Sequence, residues 1–261
     1  VPSELQSPSR PNGEVRDRST EIVVGDVGVT YPTADGGRLQ ALDGLSLRVA
    51  PGELLAVVGP SGCGKSTLLE LLCGLLEPDS GSIACGPAVL MPQRDLLLAW
   101  LSALDNAALA LRISGLSRAR ARERASVLFE ELGLEGFQAA RPHELSGGMR
   151  QRVAFLRTLL SGKPILCLDE PFGALDALTR SEMQEWLART LTREPRTTVL
   201  VTHDVEEAIL LADRVAVLSP RPGRVLDELT VTLERPRRRT DRAVVALRER
   251  ALGVLALGAR P

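Results

Sequence analysis

The segment Gly59-Pro60-Ser61-Gly62-Cys63-Gly64-Lys65-Ser66-Thr67 has the residue types needed to hold a chain of phosphates. Its glycines let the backbone curl so that successive N–H groups converge on one anion. A helix opening at its end adds orphan N–H groups and a positive dipole end. Lys65 is placed to reach the terminal phosphates and Ser66 to hold Mg2+. The spacing G-x-x-x-x-G-K-[ST] carries meaning only between a strand and a helix. Both are expected here, a buried strand over Leu54 to Val58 and a helix over Ser66 to Leu76.

Two further segments bear chemistry. In Ile165-Leu-Cys-Leu-Asp169-Glu170-Pro171 an apolar strand ends in adjacent carboxylates. Alternation along a strand assigns them to opposite faces and so to different roles. Asp169 suits Mg2+, held directly or through water; Glu170 suits the polarisation of an attacking water. In Leu145-Ser146-Gly147-Gly148-Met-Arg-Gln-Arg152, Ser146 can cap the helix that follows. Gly147 and Gly148 there permit close approach of a phosphate. Two such helix starts serve either one nucleotide within one chain, or a nucleotide on a partner chain.

These groups need a scaffold. Strands are expected over Glu21 to Val29, Leu45 to Val49, Leu54 to Val58, Ile165 to Leu168, Thr198 to Thr202 and Val215 to Leu218. Helices are expected over 66–76, 176–194 and 204–213. That alternation implies an α/β chain with a mostly parallel sheet covered on both faces. Residues 95–160 read as a helical insert. In it an amphipathic helix sets Val127, Leu128 and Leu132 on one side, with Arg and Glu as solvated surface elsewhere. Residues 1–20 are rich in Ser, Pro and charge and read as a disordered arm; 21–234 form the main body. Residues 235–261 read as a tail with a basic cluster, Arg237 to Arg239, and a helix-like stretch.

Composition limits the function classes. The chain has 261 residues, 44% hydrophobic and 25% charged, which indicates a globular body of one domain with a subdomain. A net charge of −1 removes the electrostatic footprint of a dedicated nucleic-acid binder. All basic residues except Lys65 and Lys163 are Arg, so a lysine in the phosphate motif stands against a strong bias. Cys63, Cys73, Cys85 and Cys167 form no CxxC pair, which argues against a zinc ribbon or disulfide scaffold. Cys63, within the phosphate loop, is an expected alkylation site. The longest uncharged run, Ser80 to Gln93, is too short and too broken by Gly and Pro to span a bilayer.

On GPSGCGKST, LSGGMRQR and ILCLDEP together, the chain resembles the ATP-binding subunits of ABC transporters over about residues 21 to 230. The resemblance implies a P-loop NTPase fold with a mostly parallel sheet, an antiparallel β subdomain and a helical subdomain at about 95–160. It implies ATP and Mg2+, and a head-to-tail homodimer in which each signature closes over ATP held by the other chain. It further implies that Tyr31 stacks on adenine and that Gln93, in VLMPQRD, contacts Mg2+ and senses a membrane partner. Asp176, in GALD, matches the aspartate at the dimer seam; His203, in VTHD, matches the switch histidine near the γ-phosphate. His143 receives no role. Cys167 and the run VAFLRTLL depart from the usual aliphatic and Ala-rich residues, a matter of packing.

Finer stretches, RDLLLAWLSALDNAALAL, PFGALDALTR and VTHDVEEAILLADRVAVLSPRPGRV, resemble the nitrate/sulfonate/taurine branch of bacterial importers. That implies integral permease subunits as partners, with Leu96, Leu97, Leu98, Trp100 and Leu101 as apolar docking surface. It implies an indirect link to a periplasmic or lipid-anchored solute-binding protein, no nucleic acid, and a peripheral position on the cytoplasmic face of the membrane. The alternative is a non-transport ABC ATPase of a nucleic-acid or translation complex. The uninterrupted cassette, without long heptads or a basic arm, speaks against it.

Overall fold

The computed structural model describes residues 20–258, so the arm expected over 1–20 lies outside the described residues except for Thr20. A six-stranded sheet runs through the core in the order β5-β6-β7-β3-β8-β9. Its strands are β3 (Leu54–Val58), β5 (Ala88–Met91), β6 (Ile165–Asp169), β7 (Thr197–Thr202), β8 (Arg214–Leu218) and β9 (Val225–Thr230). β9 runs antiparallel to β8; the other pairings are parallel. β3, β6 and β7 are buried along their whole length, the pattern of strands covered on both faces.

Alternation divides the core in two. Leu54, Ala56 and Val58 of β3 join Leu166, Leu168 and Leu200 on one face. Leu55 and Val57 join Ile165, Cys167, Val199 and Val201 on the other. The second face is covered by helix α1 (Lys65–Leu72) and by a three-stranded antiparallel sheet. That sheet has the order β2-β1-β4, from β1 (Ile22–Pro32), β2 (Arg38–Val49) and β4 (Ser80–Cys85). β1 and β2 are longer than their apolar pattern suggests. Their solvent-facing ends pair Tyr31 with Leu39 and Pro32 with Arg38 around a turn closed by Thr33 and Gly37.

The first face is covered by helices. These are α2 (Ala103–Ala107), α3 (Leu109–Ile113), α4 (Arg118–Glu131), α5 (Gly147–Leu159), α6 (Ala177–Arg193), α7 (Val205–Leu211) and α8 (Arg242–Gly258). The sequence expectation for α4 fails in detail. Its buried stripe is Ala121, Ala125 and Phe129, while Val127 is 61% exposed. Small alanines let α4 approach closely and bring Arg118 and Arg122 onto the buried Asp105 of α2, at 2.7 and 2.9 Å. The Arg118 hydrogen bond, with Arg122 beside it, holds the Asp105 carboxyl down to about 2. Part of the charged face is therefore an ion-pair clamp and not only solvated surface.

The segment after residue 234 also packs into this body. Arg237 donates to the backbone carbonyls of Leu233, Ile209 and Ala212 at 2.9, 2.7 and 2.6 Å. Partial burial lowers its guanidinium to about 10. Arg239 and Arg248 both pair with Glu206 of α7. Val244 and Ala251 of α8 are buried in the first core. Arg237 thus satisfies carbonyls at the end of α7 that a helix leaves unpaired. Among the described residues, no helix is long and apolar enough to cross a membrane.

Candidate active site

Strand β3 ends at Val58 and α1 begins at Lys65, so the loop between them lies at the carboxyl end of the parallel sheet, where such sheets bind ligands. Gly64 caps α1 with φ 99°. A Cβ there would lie 2.5 Å from Leu42 Cδ2 and 2.8 Å from the Ala41 carbonyl oxygen, so glycine is required on both counts. Lys65 is buried, and its Nζ donates to the carbonyls of Gly59 and Pro60 at 2.8 and 2.9 Å. The ammonium is thereby drawn across the mouth of the loop.

Strand β6 brings both acids, Asp169 as its last residue and Glu170 just beyond it. Ser66 Oγ donates to Asp169 Oδ2 at 2.7 Å. Burial pushes the Asp169 carboxyl above its ordinary range, opposed by that hydrogen bond. Glu170 follows with φ 45°, and its N–H is held by the Val201 carbonyl of β7 at 2.9 Å. The left-handed turn corrects the strict alternation read from the sequence. The chain has left the strand at Glu170, and both carboxylates face one cavity while doing different things. Glu170 Oε2 accepts from Gln93 Nε2 at 2.9 Å, and Oε1 lies 3.0 Å from His203 Nδ1. Three segments distant in sequence thus converge on one carboxylate.

The cavity has a volume of about 290 Å3 and is lined by Ser61, Gly62, Gly64, Lys65, Ser66, Thr67, Gln93, Asp169 and Glu170. Tyr31 stands at its edge, with its hydroxyl 3.2 Å from Thr67 Oγ1. Cys63 does not line the cavity. Its thiol is 1% exposed, packs in the core and is pushed up by burial, so the expected alkylation site is closed. Gly59 and Pro60 contribute the carbonyls that hold Lys65. A larger cavity of about 710 Å3, with Trp186 and Leu128 in its wall, contains none of the catalytic or nucleotide-binding residues expected from the sequence.

Ser146, Gly147, Gly148 and Asp176 do not line the phosphate cavity. They stand at two other helix starts. Ser146 Oγ accepts from Met149 N–H at 3.2 Å and caps α5. Asp176 Oδ1 accepts from the N–H groups of Leu178 and Thr179, both at 3.1 Å, and caps α6; hydrogen bonds from Thr179 hold its carboxyl below the ordinary range. The segment after Gln93 is tied to α5 by Arg150, whose Nε donates to Asp95 at 2.9 Å. Arg157 adds donors to the carbonyls of Leu96 and Asp95 at 2.9 and 2.7 Å. From this braced segment Leu96 and Trp100 project, 59% and 70% exposed, while Leu97, Leu98 and Leu101 are half-buried. Sequence reasoning missed Arg221, which also lines the phosphate cavity. Its signal, SPRPGRV, is visible in the chain, but the fold-back of that turn onto the loop is not.

A phosphate loop between β3 and α1, carboxylates from β6, and a glutamine and a histidine on the second carboxylate define a P-loop nucleoside triphosphatase of the ABC ATPase fold. Residues 42–173 match the family profile described as ABC transporter. The chain is 44% identical over 243 residues to the taurine import ATP-binding protein TauB of Chromobacterium violaceum, covering 87% of this chain and 92% of that one. It is 45% identical over 193 residues to the formylaminopyrimidine import ATP-binding protein ThiZ of Halalkalibacterium halodurans, covering 73% and 78%. A dimeric ATP-binding cassette solved in a post-hydrolysis state with ADP and Pi superposes with a TM-score of 0.74 at 28% identity, covering 82% of this chain and all of that one. The chain belongs to the ABC transporter family. It binds and hydrolyses ATP as a transporter subunit.

Proposed function

We propose that this subunit energises import of a small solute of the nitrate, sulfonate or taurine type through a membrane permease. The observation that carries the hydrolytic part is the convergence of Gln93 and His203 on Glu170 beside the phosphate loop, at 2.9 and 3.0 Å. The importer part is supported by the likeness to TauB over most of both chains.

The geometry and the family likeness support the following roles. Tyr31 stacks on the base at the edge of the cavity. The backbone of Gly59 to Thr67, including Pro60, Ser61, Gly62, Cys63 and Gly64, cradles the phosphates, and Lys65 neutralises the terminal ones. Glu170 orients the water that attacks the γ-phosphorus in line, with the bridging oxygen leaving as ADP. Gln93 holds one oxygen of that carboxylate and His203 the other, so the base is aimed before the water arrives. Ser66, Asp169 and Gln93 present oxygen donors only, the set a hard dication prefers, and Ser66 already meets Asp169. These residues fit Mg2+, and the buried Asp169 charge is one a dication offsets. Bound there, Mg2+ supplies charge neutralisation on the phosphate oxygens.

Ser146, Gly147, Gly148 and Asp176 act across a head-to-tail homodimer, which explains why they cap helices away from their own chain's cavity. Leu96 and Trp100 give the permease an apolar foothold at the segment leading from Gln93. The subunit sits peripherally on the cytoplasmic face, and meets the solute-binding protein only through the permease.

A deletion strain grown on taurine as sole sulfur source, or on nitrate as sole nitrogen source, tests the reading. Failure on one, rescued by the wild-type chain and not by Glu170→Gln, is the expected result. Normal growth on both, with failure on formylaminopyrimidine as pyrimidine source, would move the assignment to a heterocycle importer.

A further inference from the structure

The turn joining β8 to β9 folds back onto the phosphate loop. A Cβ on Gly223 would lie 2.1 Å from the Cys63 carbonyl oxygen, so the two backbones touch there. Gly223 N–H donates to the Ala41 carbonyl at 2.8 Å, and its carbonyl accepts from Asp43 N–H at 3.2 Å. Arg224 Nε donates to Asp43 Oδ2 at 3.0 Å. Inside the turn, Ser219 Oγ donates to the Pro222 carbonyl at 2.8 Å and accepts from Arg224 N–H at 2.9 Å. The turn is thus pinned to β2 and to the loop, and a side chain leaving it has a fixed origin.

That side chain is Arg221. Its Nη2 would lie 3.3 Å from a Cβ built on Gly62, which places the guanidinium over the middle of the phosphate loop. It shares the cavity with Lys65, Ser66 and Thr67. Its neighbour Arg224 is paired with Asp43; among the described residues no carboxylate pairs with Arg221. A rigid planar fork of N–H donors suits two oxygens of a phosphate at once.

We infer that Arg221 is a further nucleotide-binding residue, which brings a guanidinium from the β8–β9 turn onto the phosphate chain held by the loop. Lys65 enters the cavity from beneath, buried and tied to loop carbonyls; Arg221 enters from the solvent side. An exposed guanidinium adds affinity without acting on the water held at Glu170. The effect therefore falls on nucleotide binding and not on the chemical step.

The inference rests on this cavity being the ATP site, and the test separates the two. Calorimetric titration with ATP, and competition by inorganic tripolyphosphate, are run on the full chain and on Arg221→Ala, Arg221→Lys and Lys65→Ala. The expected result is that Arg221→Ala weakens ATP and tripolyphosphate by the same factor, about tenfold. Arg221→Lys recovers part of the loss, and kcat at saturating ATP is kept. Unchanged ATP affinity in Arg221→Ala, with a clear loss in Lys65→Ala, would overturn the inference and leave the site standing. So would a loss for ATP without a loss for tripolyphosphate, which would move the guanidinium to the nucleoside side. Wild-type affinity in Lys65→Ala would instead overturn the site itself.

Discussion

Glu207 makes the stability of this protein depend on pH in a direction opposite to most carboxylates. It lies on α7, 4% exposed, and accepts from Gln184 Nε2 at 3.0 Å. Burial pushes its carboxyl from the ordinary 4.5 to about 7, against the hydrogen bonds from Thr202 and Gln184 and the charge of Arg180; Asp204 adds to the rise. Below 4.5 the folded and unfolded chains both hold the proton, and the group costs nothing. Between 4.5 and about 7 the unfolded chain releases it while the folded chain keeps it, so stability falls as pH rises. Above about 7 the penalty is complete, and at about 1.4 kcal/mol for each pH unit of the gap it is about 3 kcal/mol. Glu207→Gln keeps the shape and an acceptor for Gln184 but has no proton to lose. Urea unfolding of both proteins at pH 5, 6, 7 and 8 should show the Gln variant gaining about 2–3 kcal/mol on the wild type across that range. A difference that stays flat with pH would refute the argument.

Two other outcomes follow from single contacts. Gly223→Ala drives a methyl group into the Cys63 carbonyl, 2.1 Å away, so it should cost about 1–3 kcal/mol in thermal unfolding and lower ATP affinity by moving the phosphate loop. Intact stability with intact ATP binding would show that the turn is not clamped there. Under native conditions iodoacetamide should label the half-buried Cys73 first, since the Cys167 hydrogen bond holds its thiol below the ordinary range; Cys85 reacts more slowly, its thiol pushed up to about 11 by burial, and Cys63 and Cys167 react only on unfolding. Labelling of Cys63 as fast as Cys73, read by mass spectrometry, would contradict its placement beneath the loop.

Much of this molecule is legible in its residues, and the exceptions have physical reasons. β3, β6 and β7 are short apolar runs between turn residues, so burial on both faces follows from composition. The phosphate loop is legible because lysine, serine and three glycines at fixed offsets have few other uses. Val127 misleads because it is the larger apolar side chain, while the α4 interface selects small alanines so that Arg118 and Arg122 can reach Asp105. Glu170 misleads because alternation ends where the backbone turns left-handed, which no side chain announces. Arg237 reads as one member of a basic cluster, yet it supplies donors to carbonyls left bare by α7. Arg221 is missed for a similar reason: its place depends on a tertiary fold-back between residues far apart in the chain.

The most direct test is phosphate release by the purified chain and by Glu170→Gln, with ATP affinity and particle size measured on both. The account predicts wild-type ATP affinity for Glu170→Gln, phosphate release slowed by at least about 100-fold, and an ATP-dependent dimer that does not come apart. Turnover by Glu170→Gln at the wild-type rate would contradict it, and with it the reading of Gln93 and His203 as the two groups that aim the catalytic carboxylate.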